Sequence, residues 1–243
     1  MSNYLVRNNF RDIFGVYFLE SLSFEGKYDM PIVGNFDDIS NIDYIALYSD
    51  LSEYDKTTNT CVSFYQYDHI FDGVNGLYNS IVYQNNKRLD FFKDRFKNVK
   101  YIIAPDYSLF GDFPNALQIF NVYKSRVCLC WLSANTKAKI IPNIRWSLPF
   151  SFDYCFDGIM IGSNIAIGIL GQIRNKKNNK MFIEGFKKAI DRIKPKNIIV
   201  YGFVSETNFE KLFAYARSKG IKIIVPHSKI DKYKKEDAVY GAR

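Results

Sequence analysis

Short apolar segments that recur along the chain constrain its fold more than any other feature. Most of them are apolar at every position and rich in β-branched residues, as parallel strands buried on both faces of a sheet are. The stretches between them are mostly long enough for a helix, so the pattern predicts βαβ units and a parallel sheet. Eight segments are predicted to be strands, at residues 44–48, 61–67, 99–104, 138–141, 156–160, 165–170, 197–201 and 221–225.

Helix signals fill most of the gaps between these strands. Asp112 followed by Pro114 predicts the start of one helix, because aspartate caps a helix and proline fits its first turn. A second helix is predicted from Asn179 to Pro195, and a third begins after Ser205. Each has apolar residues at the spacing of one buried helical face.

The number of predicted strands favours one fold class. Eight strands alternating with helices in 243 residues predict an α/β fold, namely a (β/α)8-like barrel that is irregular on its N-terminal side. An open, doubly wound parallel sheet is the alternative. No linker rich in proline, glycine or serine divides the chain, so residues 1–243 are predicted to form a single α/β domain. Residues 1–43 are predicted to be an irregular or helical N-terminal extension, with a helix over residues 9–22.

Composition and cysteine usage exclude several classes of protein. With 47% hydrophobic residues the chain has the material for a full core, which excludes a disordered tail or a fibrous repeat. It has neither a secretory apolar region within residues 1–10 nor a run of about 18–20 apolar residues that would span a bilayer. The four cysteines have no second Cys/His pair at zinc-site spacing, so they are predicted to be reduced and structural. We expect a cytoplasmic protein without a membrane segment, and the sequence leaves its oligomeric state open.

Positive charge is concentrated in the last third of the chain. The formal net charge is +8, but residues 172–243 alone carry 18 lysines and arginines against 7 acidic residues. The rest of the chain is therefore slightly acidic. A basic region of this kind favours phosphate, whether in nucleic acid, a nucleotide or a membrane surface. A coding bias toward A and T explains the same lysines as a solvated surface.

Polar residues lie after several predicted strands, at the end where parallel α/β folds gather their chemistry. Asp68, Asp106, Asp157 and His227 are the candidate catalytic residues there. Convergent carboxylates and a histidine suit acid/base hydrolysis or a phosphoesterase whose carboxylates hold Mg²⁺ or Mn²⁺. Each residue also has a structural explanation, such as the turn that Asp106 forms after a proline.

Candidate substrate-binding residues follow the fourth and sixth strands. Arg145 and Trp146 are two of them, and Trp146 would stack on a base or a sugar. Arg174, Lys176 and Lys177 lie between the sixth strand and a helix, where they would grip phosphate together with free backbone N–H groups. The alternative for this segment is a flexible, solvated loop. The motifs GxxxxGK[ST], GxGxxG and GxSxG are absent, so no established phosphate loop or nucleophile elbow is predicted.

Between about Asp68 and Gly202 the chain is similar to a known family. The similarity rests on Ala104–Leu109 (APDYSL), Ser151–Ile159 (SFDYCFDGI) and the spaced residues Asn121-x-Tyr123-x-x-Arg126 and Ile141-Pro142-x-x-x-Trp146. Together they resemble an uncharacterised family common in phages and mobile elements, domain of unknown function four-four-one-seven. The resemblance implies a phage or mobile-element origin, and hence the cytoplasm of a host cell, and it supplies no established activity.

The polar positions that match this family extend the list of candidate site residues. Asn121, Arg126 and Asp153 join Arg145 and Trp146 as candidate substrate-binding residues. They are expected to lie beside the candidate catalytic carboxylates.

Three functions fit these observations. We favour a phage or mobile-element protein that acts on nucleic acid or a nucleotide, by metal-assisted phosphoester chemistry at the carboxyl ends of the strands. The second is a non-catalytic phage protein that binds and sequesters a host protein or a signalling nucleotide; the 17% aromatic content favours such a contact surface. The third is an accessory DNA-binding replication factor, although no helix-turn-helix or zinc finger is present.

Overall fold

Parallel strands joined by helices dominate the structure. The computed structural model describes residues 19, 22–170, 172–173, 176–203 and 205–231. The strands are β1 (Phe24–Glu25), β2 (Met30–Pro31), β3 (Tyr44–Leu47), β4 (Thr60–Ser63), β5 (Tyr101–Ile103), β6 (Lys139–Ile141), β7 (Ile165–Gly168), β8 (Asn197–Tyr201), β9 (Lys222–Ile224) and β10 (His227–Ser228). The helices are α1 (Asp68–Phe71), α2 (Leu77–Val82), α3 (Asn86–Phe96), α4 (Asn115–Asn135), α5 (Lys176–Ile193) and α6 (Glu206–Ser218), with short 3₁₀ helices at Leu51–Glu53 and Pro149–Asp153.

The strands form two parallel sheets and one small hairpin. The larger sheet has the order β10-β3-β4-β5-β6, the smaller has the order β7-β8-β9, and β1 pairs antiparallel with β2. A single bridge between Asn143 and Ala166 connects the segment after β6 to β7. The predicted α/β class with parallel strands is therefore confirmed.

The strand predicted over residues 156–160 does not form. None of the described residues 156–160 belongs to a strand, although Ile159 forms an isolated bridge with Val33. Gly158 has a φ of +74°, a backbone conformation that extended strands do not use. Its carbonyl oxygen accepts from the Val33 N–H at 2.7 Å. The apolar side chains here are buried because the segment turns and packs beside the β1–β2 hairpin.

The two faces of the strands pack into different hydrophobic clusters. On one face, strand residues such as Val62, Ile102 and Val200 join a large cluster with the helices. On the other face a smaller cluster combines side chains from both sheets, among them Ile45, Cys61, Ile103, Ile141, Ala166 and Ile199. Burial on both faces explains why these strands are apolar throughout.

The three predicted helices are present. Pro114 is the residue before α4, and Ser205 is the residue before α6. In α5 the predicted inward residues Phe182, Phe186 and Ala189 are all buried. The helices α1 to α3 were not predicted; α1 and α2 have only 4 and 6 residues. The predicted helix over residues 9–22 lies outside the described residues except at residues 19 and 22. Across the described chain, no helix is both long and apolar enough to cross a membrane.

All four cysteines are free and buried, as the sequence predicts. Burial raises the pKa of the Cys61, Cys128 and Cys155 thiols far above the usual value, and that of Cys130 to about 12. A thiol must ionise to attack a disulfide reagent. We therefore infer that all four thiols are protected in the folded protein.

Thiol labelling tests this protection. At about pH 8 we expect no cysteine of the folded protein to react quickly with an aromatic disulfide, because burial keeps the thiols protonated and inaccessible. In denaturant all four should react. Val74→Cys, at a residue that is 87% exposed, provides a fast-reacting positive control. Rapid labelling of a native cysteine in the unaltered protein would contradict the burial described above.

Candidate ligand-binding cleft

A large cleft opens at the carboxyl ends of strands β4 to β8. It encloses about 1510 Å³, more than the roughly 300–1,000 Å³ of an ordinary small-molecule site. Parallel strands end at the same edge of a sheet, so the residues that follow them converge. The described lining includes Tyr65, Gln66 and Tyr67 after β4, Asp106 and Ser108 after β5, Arg145 and Trp146 after β6, residues 168–170 at the end of β7, and Tyr201 and Phe203 at the end of β8.

A hydrogen-bonded group of four side chains lies at the cleft. Asp106 accepts from the Asn143 side-chain amide at 2.7 Å through Oδ1, and its Oδ2 forms an ion pair with Arg145 Nη1. The Tyr65 hydroxyl donates to Asn143 Oδ1 at 2.8 Å. Both oxygens of the Asp106 carboxylate therefore have partners, and Asn143 connects the carboxylate to the tyrosine.

Asp106 is the buried acid of this group, with 6% of the residue exposed. Burial raises the pKa of Asp106, while the Arg145 guanidinium and the Asn143 amide oppose that rise. A buried carboxylate is stable in its charged form only with such partners. Asp106 and Arg145 are therefore best regarded as one electrostatic unit.

Tyr65 and a glycine shape the adjoining wall. The Tyr65 ring stacks on Tyr201 with ring centroids 4.8 Å apart and planes 7° from parallel. A Cβ atom at Gly168 would lie 2.9 Å from the Tyr65 ring. Any larger residue at position 168 would therefore push the Tyr65 ring out of its place. Burial also raises the pKa of Tyr65 well above the usual value, so its hydroxyl remains a hydrogen-bond donor at neutral pH.

Two predicted site residues support the rim of the cleft from outside it. Asp68 accepts from the Ser108 N–H at 3.1 Å and from the Ser108 hydroxyl at 2.8 Å. Asn121, on α4, donates from its side-chain amide to the Ser108 carbonyl at 2.7 Å. Both side chains therefore hold the loop after β5 and, through it, the lining residue Ser108.

Trp146 borders the cleft but is almost completely buried, with 4% exposed. Its ring packs against Phe156 and Phe182 at centroid distances of 5.9 and 5.3 Å. A Cβ atom at Gly185 would lie 2.3 Å from its indole nitrogen. The ring therefore has no open face for the base or sugar that the sequence predicts, and it acts as packing in the wall.

Arg126 is also a framework residue. Its guanidinium is buried and donates to three carbonyl oxygens, those of Asn143 at 3.2 Å, Cys155 at 3.0 Å and Asp157 at 3.2 Å. Burial lowers the pKa of Arg126 to about 10. Because its donors are occupied by the backbone, Arg126 does not contact the cleft as the prediction of substrate binding requires.

The remaining predicted residues lie away from the cleft. Asp157 forms an ion pair with Arg192 in the last turn of α5, and Asp153 is exposed at the end of a 3₁₀ helix. His227 is exposed, pairs in register with the first residue of β3, and contacts Asp231 at 2.9 Å. The structure therefore brings Asp106 and Arg145 together at the cleft and leaves Asp157 and His227 elsewhere.

The predicted basic segment is described only in part. Arg174 lies outside the described residues, as do the side chains of Lys176 and Lys177, whose backbone begins α5. Their neighbours Gln172 and Ile173 line the cleft.

Mg²⁺ and Mn²⁺ prefer several oxygen ligands around one point. Among the described residues there is no group of three or more His, Cys, Asp or Glu side chains that could hold a metal ion. In the cleft, the Asp106 oxygens are already used by Asn143 and Arg145. The described side chains therefore do not fit the divalent-metal site that the sequence predicts.

Sequence reasoning missed several residues of the cleft. Tyr65 lay within a predicted strand, and Asn143 and Tyr201 belonged to apolar surroundings without a distinguishing signal. Two aromatic residues of the rim, Tyr67 and Phe110, were not singled out either. Tyr65 and Tyr67 lay inside the predicted strand 61–67, whereas β4 ends at Ser63, so only a shorter predicted strand could have identified them as residues that follow it.

Comparison with known proteins places the chain in a family. The model of the family described as "Domain of unknown function (DUF4417)" matches residues 22–224. The chain belongs to this family, as its resemblance implies. No solved structure matches the chain significantly.

Phage proteins are among its relatives. The "Gene 1 protein" of Mycobacterium phage L5 is 40% identical over 110 residues, which cover 45% of this chain and 47% of that protein. The "Gene 1 protein" of Mycobacterium phage D29 is 36% identical over 109 residues, or 44% of this chain and 40% of that protein. The chain thus matches less than half the length of these curated relatives.

Replacing Arg126 tests its framework role. In Arg126→Leu the three carbonyl oxygens lose their donor inside the protein, which should lower the free energy of unfolding by about 3–5 kcal/mol. Urea denaturation followed by tryptophan fluorescence measures the change. The control is Arg217→Leu, at an exposed ion pair with Glu210, which should remain within about 0.5 kcal/mol of the unaltered protein. A loss of less than about 1 kcal/mol in Arg126→Leu would refute the role.

Proposed function

We propose that this protein binds a nucleotide or a short single strand of nucleic acid in the cleft, in the service of a phage or mobile element. The observation that carries the proposal is the combination of exposed aromatic rings with an arginine in one cleft. Aromatic rings stack on bases of any sequence, and arginine contacts phosphate. The volume of the cleft suits such a ligand better than it suits a small metabolite.

Two aromatic side chains at the rim support the stacking part of the proposal. Tyr67 is 78% exposed, and Phe110 is 47% exposed. Each is steadied by a neighbouring ring, Tyr67 by His69 at 5.8 Å and Phe110 by Phe113 at 4.9 Å between centroids. Rings that are held in place but open to water lose little conformational freedom when a base stacks on them.

The charge distribution supports the phosphate part. Residues 172–243 carry a large excess of lysine and arginine, and Gln172, Ile173 and Asn178 from this part of the chain line the cleft. Such charge raises the local concentration of a polyanion and speeds its association. Binding is therefore expected to weaken as salt is added.

Phosphoester hydrolysis is a finer form of the same proposal. Asp106 is the buried acid that pairs with Arg145, the residue that would contact the phosphate. The described residues form no group that could hold a metal ion. Binding in the cleft does not require a reaction. Cleavage in the presence of Mg²⁺ or Mn²⁺ is therefore a separate outcome of the binding assay.

A second candidate function is the sequestration of a host protein. One surface favours it: Phe36, Met160 and Ile161 are all exposed. The position of a Cβ atom at Gly34 is 3.0 Å from both Phe36 and Met160, so these side chains are close neighbours. This apolar surface precedes β7 and lies at the other end of the strands from the cleft. Exposed apolar surfaces of this kind contact other proteins.

We also propose that the two sheets close into one irregular barrel. On one side the Asn143–Ala166 bridge links them. On the other side the chain passes from β9, which pairs with β8, to β10, which pairs with β3, across only two residues. The shared cluster of inward side chains from both sheets supports the same arrangement.

Hydrogen exchange tests the closure. The Ala166 N–H donates to the Pro142 carbonyl and the His227 N–H donates to the Asp43 carbonyl, both at 2.8 Å. In a closed barrel both amides should exchange as slowly as those of β3 and β4. The exposed Gly111 provides a fast-exchange reference. Fast exchange at Ala166 and His227, with β3 and β4 still protected, would favour two open sheets.

Removing the rim aromatics tests the binding. Tyr67→Ala and Phe110→Ala should each weaken binding of a fluorescent single-stranded DNA or RNA oligonucleotide by about 5- to 150-fold, since one base stack is worth ~1–3 kcal/mol. Fluorescence anisotropy at low salt, with and without Mg²⁺ or Mn²⁺, measures affinity and reports cleavage.

The matched control is Tyr83→Ala, an exposed tyrosine outside the described lining of the cleft, which should bind normally. Absence of binding to every oligonucleotide and nucleotide at low salt would overturn the proposal. Normal affinity in both rim variants, with binding that depends on salt alone, would favour the accessory DNA-binding function.

A further inference from the structure

We propose that the side chain of Arg145 is a prepared subsite for a phosphate group, which its remaining Nη–H groups bind while Asp106 holds the guanidinium in place. This inference rests on the proposed function and names the contact that the phosphate of a bound nucleotide would make.

The position of Arg145 is the first argument. It follows β6 directly, and it is the only cationic residue among the described residues that line the cleft. About a fifth of its side chain is exposed, so most of the charge is shielded from bulk water. A shielded charge attracts an anion more strongly than a solvated one does.

The donors of Arg145 are the second argument. Its Nη1 is paired with Asp106. Its Nε is buried and has no hydrogen-bond partner within the described part of the chain. A buried N–H without an acceptor is costly, and native proteins rarely leave one unsatisfied. Because Nε is buried, a ligand in the cleft reaches the guanidinium through its exposed part, and Nη2 has no hydrogen-bond partner within the described part of the chain.

The geometry of a guanidinium explains why phosphate fits. Its N–H groups lie in one plane as a rigid fork that two oxygens of a phosphate match. Since Nη1 is paired with Asp106 and Nε is buried, Nη2 is the nitrogen left for the ligand. The pairing with Asp106 prevents the long side chain from rotating, so less conformational entropy is lost when the anion binds.

The surroundings of Asp106 make it a positioning residue. Its second oxygen is held by Asn143, and Asn143 is held in turn by Tyr65. This chain fixes the direction in which the carboxylate faces Arg145. The buried Arg126 differs in this respect, because each of its three guanidinium nitrogens already donates to a backbone carbonyl oxygen.

Calorimetric titration with three ligands tests the subsite. A 5′-mononucleotide presents a phosphate monoester, a dinucleotide presents an internal diester, and the matching nucleoside presents no phosphate. Arg145→Gln should weaken binding of the phosphate-bearing ligands by about tenfold or more and leave the nucleoside unchanged, because a charge-assisted pair is lost. The monoester and the diester together show which phosphate the subsite prefers.

Three further variants serve as controls for Arg145→Gln. Arg145→Lys keeps the charge but loses the fork, so it should recover only part of the phosphate affinity. The double variant Arg145→Gln/Asp106→Asn removes both charges of the ion pair. It therefore shows whether affinity for phosphate is lost when no carboxylate is left unpaired. Arg217→Gln, at an exposed pair with Glu210, should bind every ligand normally. Circular dichroism checks that each variant is folded.

The outcomes separate this inference from the proposed function. One outcome is that oligonucleotides bind, that Tyr67→Ala lowers their affinity, and that the folded Arg145 variants bind all phosphate-bearing ligands normally. In that case the subsite is refuted and the function stands. If nucleosides, nucleotides and oligonucleotides fail to bind, but inorganic phosphate binds in an Arg145-dependent manner, the subsite stands and the function is refuted. Loss of nucleoside and phosphate binding to the same degree in Arg145→Gln would also overturn the subsite.

Discussion

One buried contact, between Arg126 and the backbone of Asn143, links the core of this fold to its cleft. Arg126 donates from α4 to three carbonyl oxygens, including that of Asn143. Asn143 also pairs with Ala166 across the junction of the two sheets, and its side chain holds Asp106 and Tyr65. One short segment after β6 therefore carries both the sheet junction and the polar group of the cleft. Loosening this segment would disturb the fold and the site together.

Much of the fold could be predicted because the strands are buried on both faces. Residues 197–201 illustrate this, since one face of β8 contacts helices and the other contacts the cluster shared by the sheets. The same reasoning failed at residues 156–160. Their apolar side chains are buried by a turn at Gly158 that packs beside the β1–β2 hairpin, and composition does not distinguish a buried turn from a buried strand.

The predicted site residues that meet at the cleft are ones that follow strands present in the structure. Asp106 and Arg145 follow β5 and β6 and meet at the cleft. Asp157 lies within the predicted strand 156–160, which does not form, and His227 begins a strand instead of following one. Trp146 does border the cleft, but packing against Phe156 and Phe182 closes its faces. Side-chain exposure of this kind depends on neighbours that are distant in sequence.

By itself the sequence determined the parallel α/β class, most strands and three main helices, because local periodicity decides which faces leave water. Only the tertiary structure decided which polar residues share a site. Tyr65 reaches Asn143 across 78 residues, and Asn143 reaches Asp106 across 37. Such contacts depend on strand order and register, which bring distant residues to one edge of a sheet and which no local pattern records.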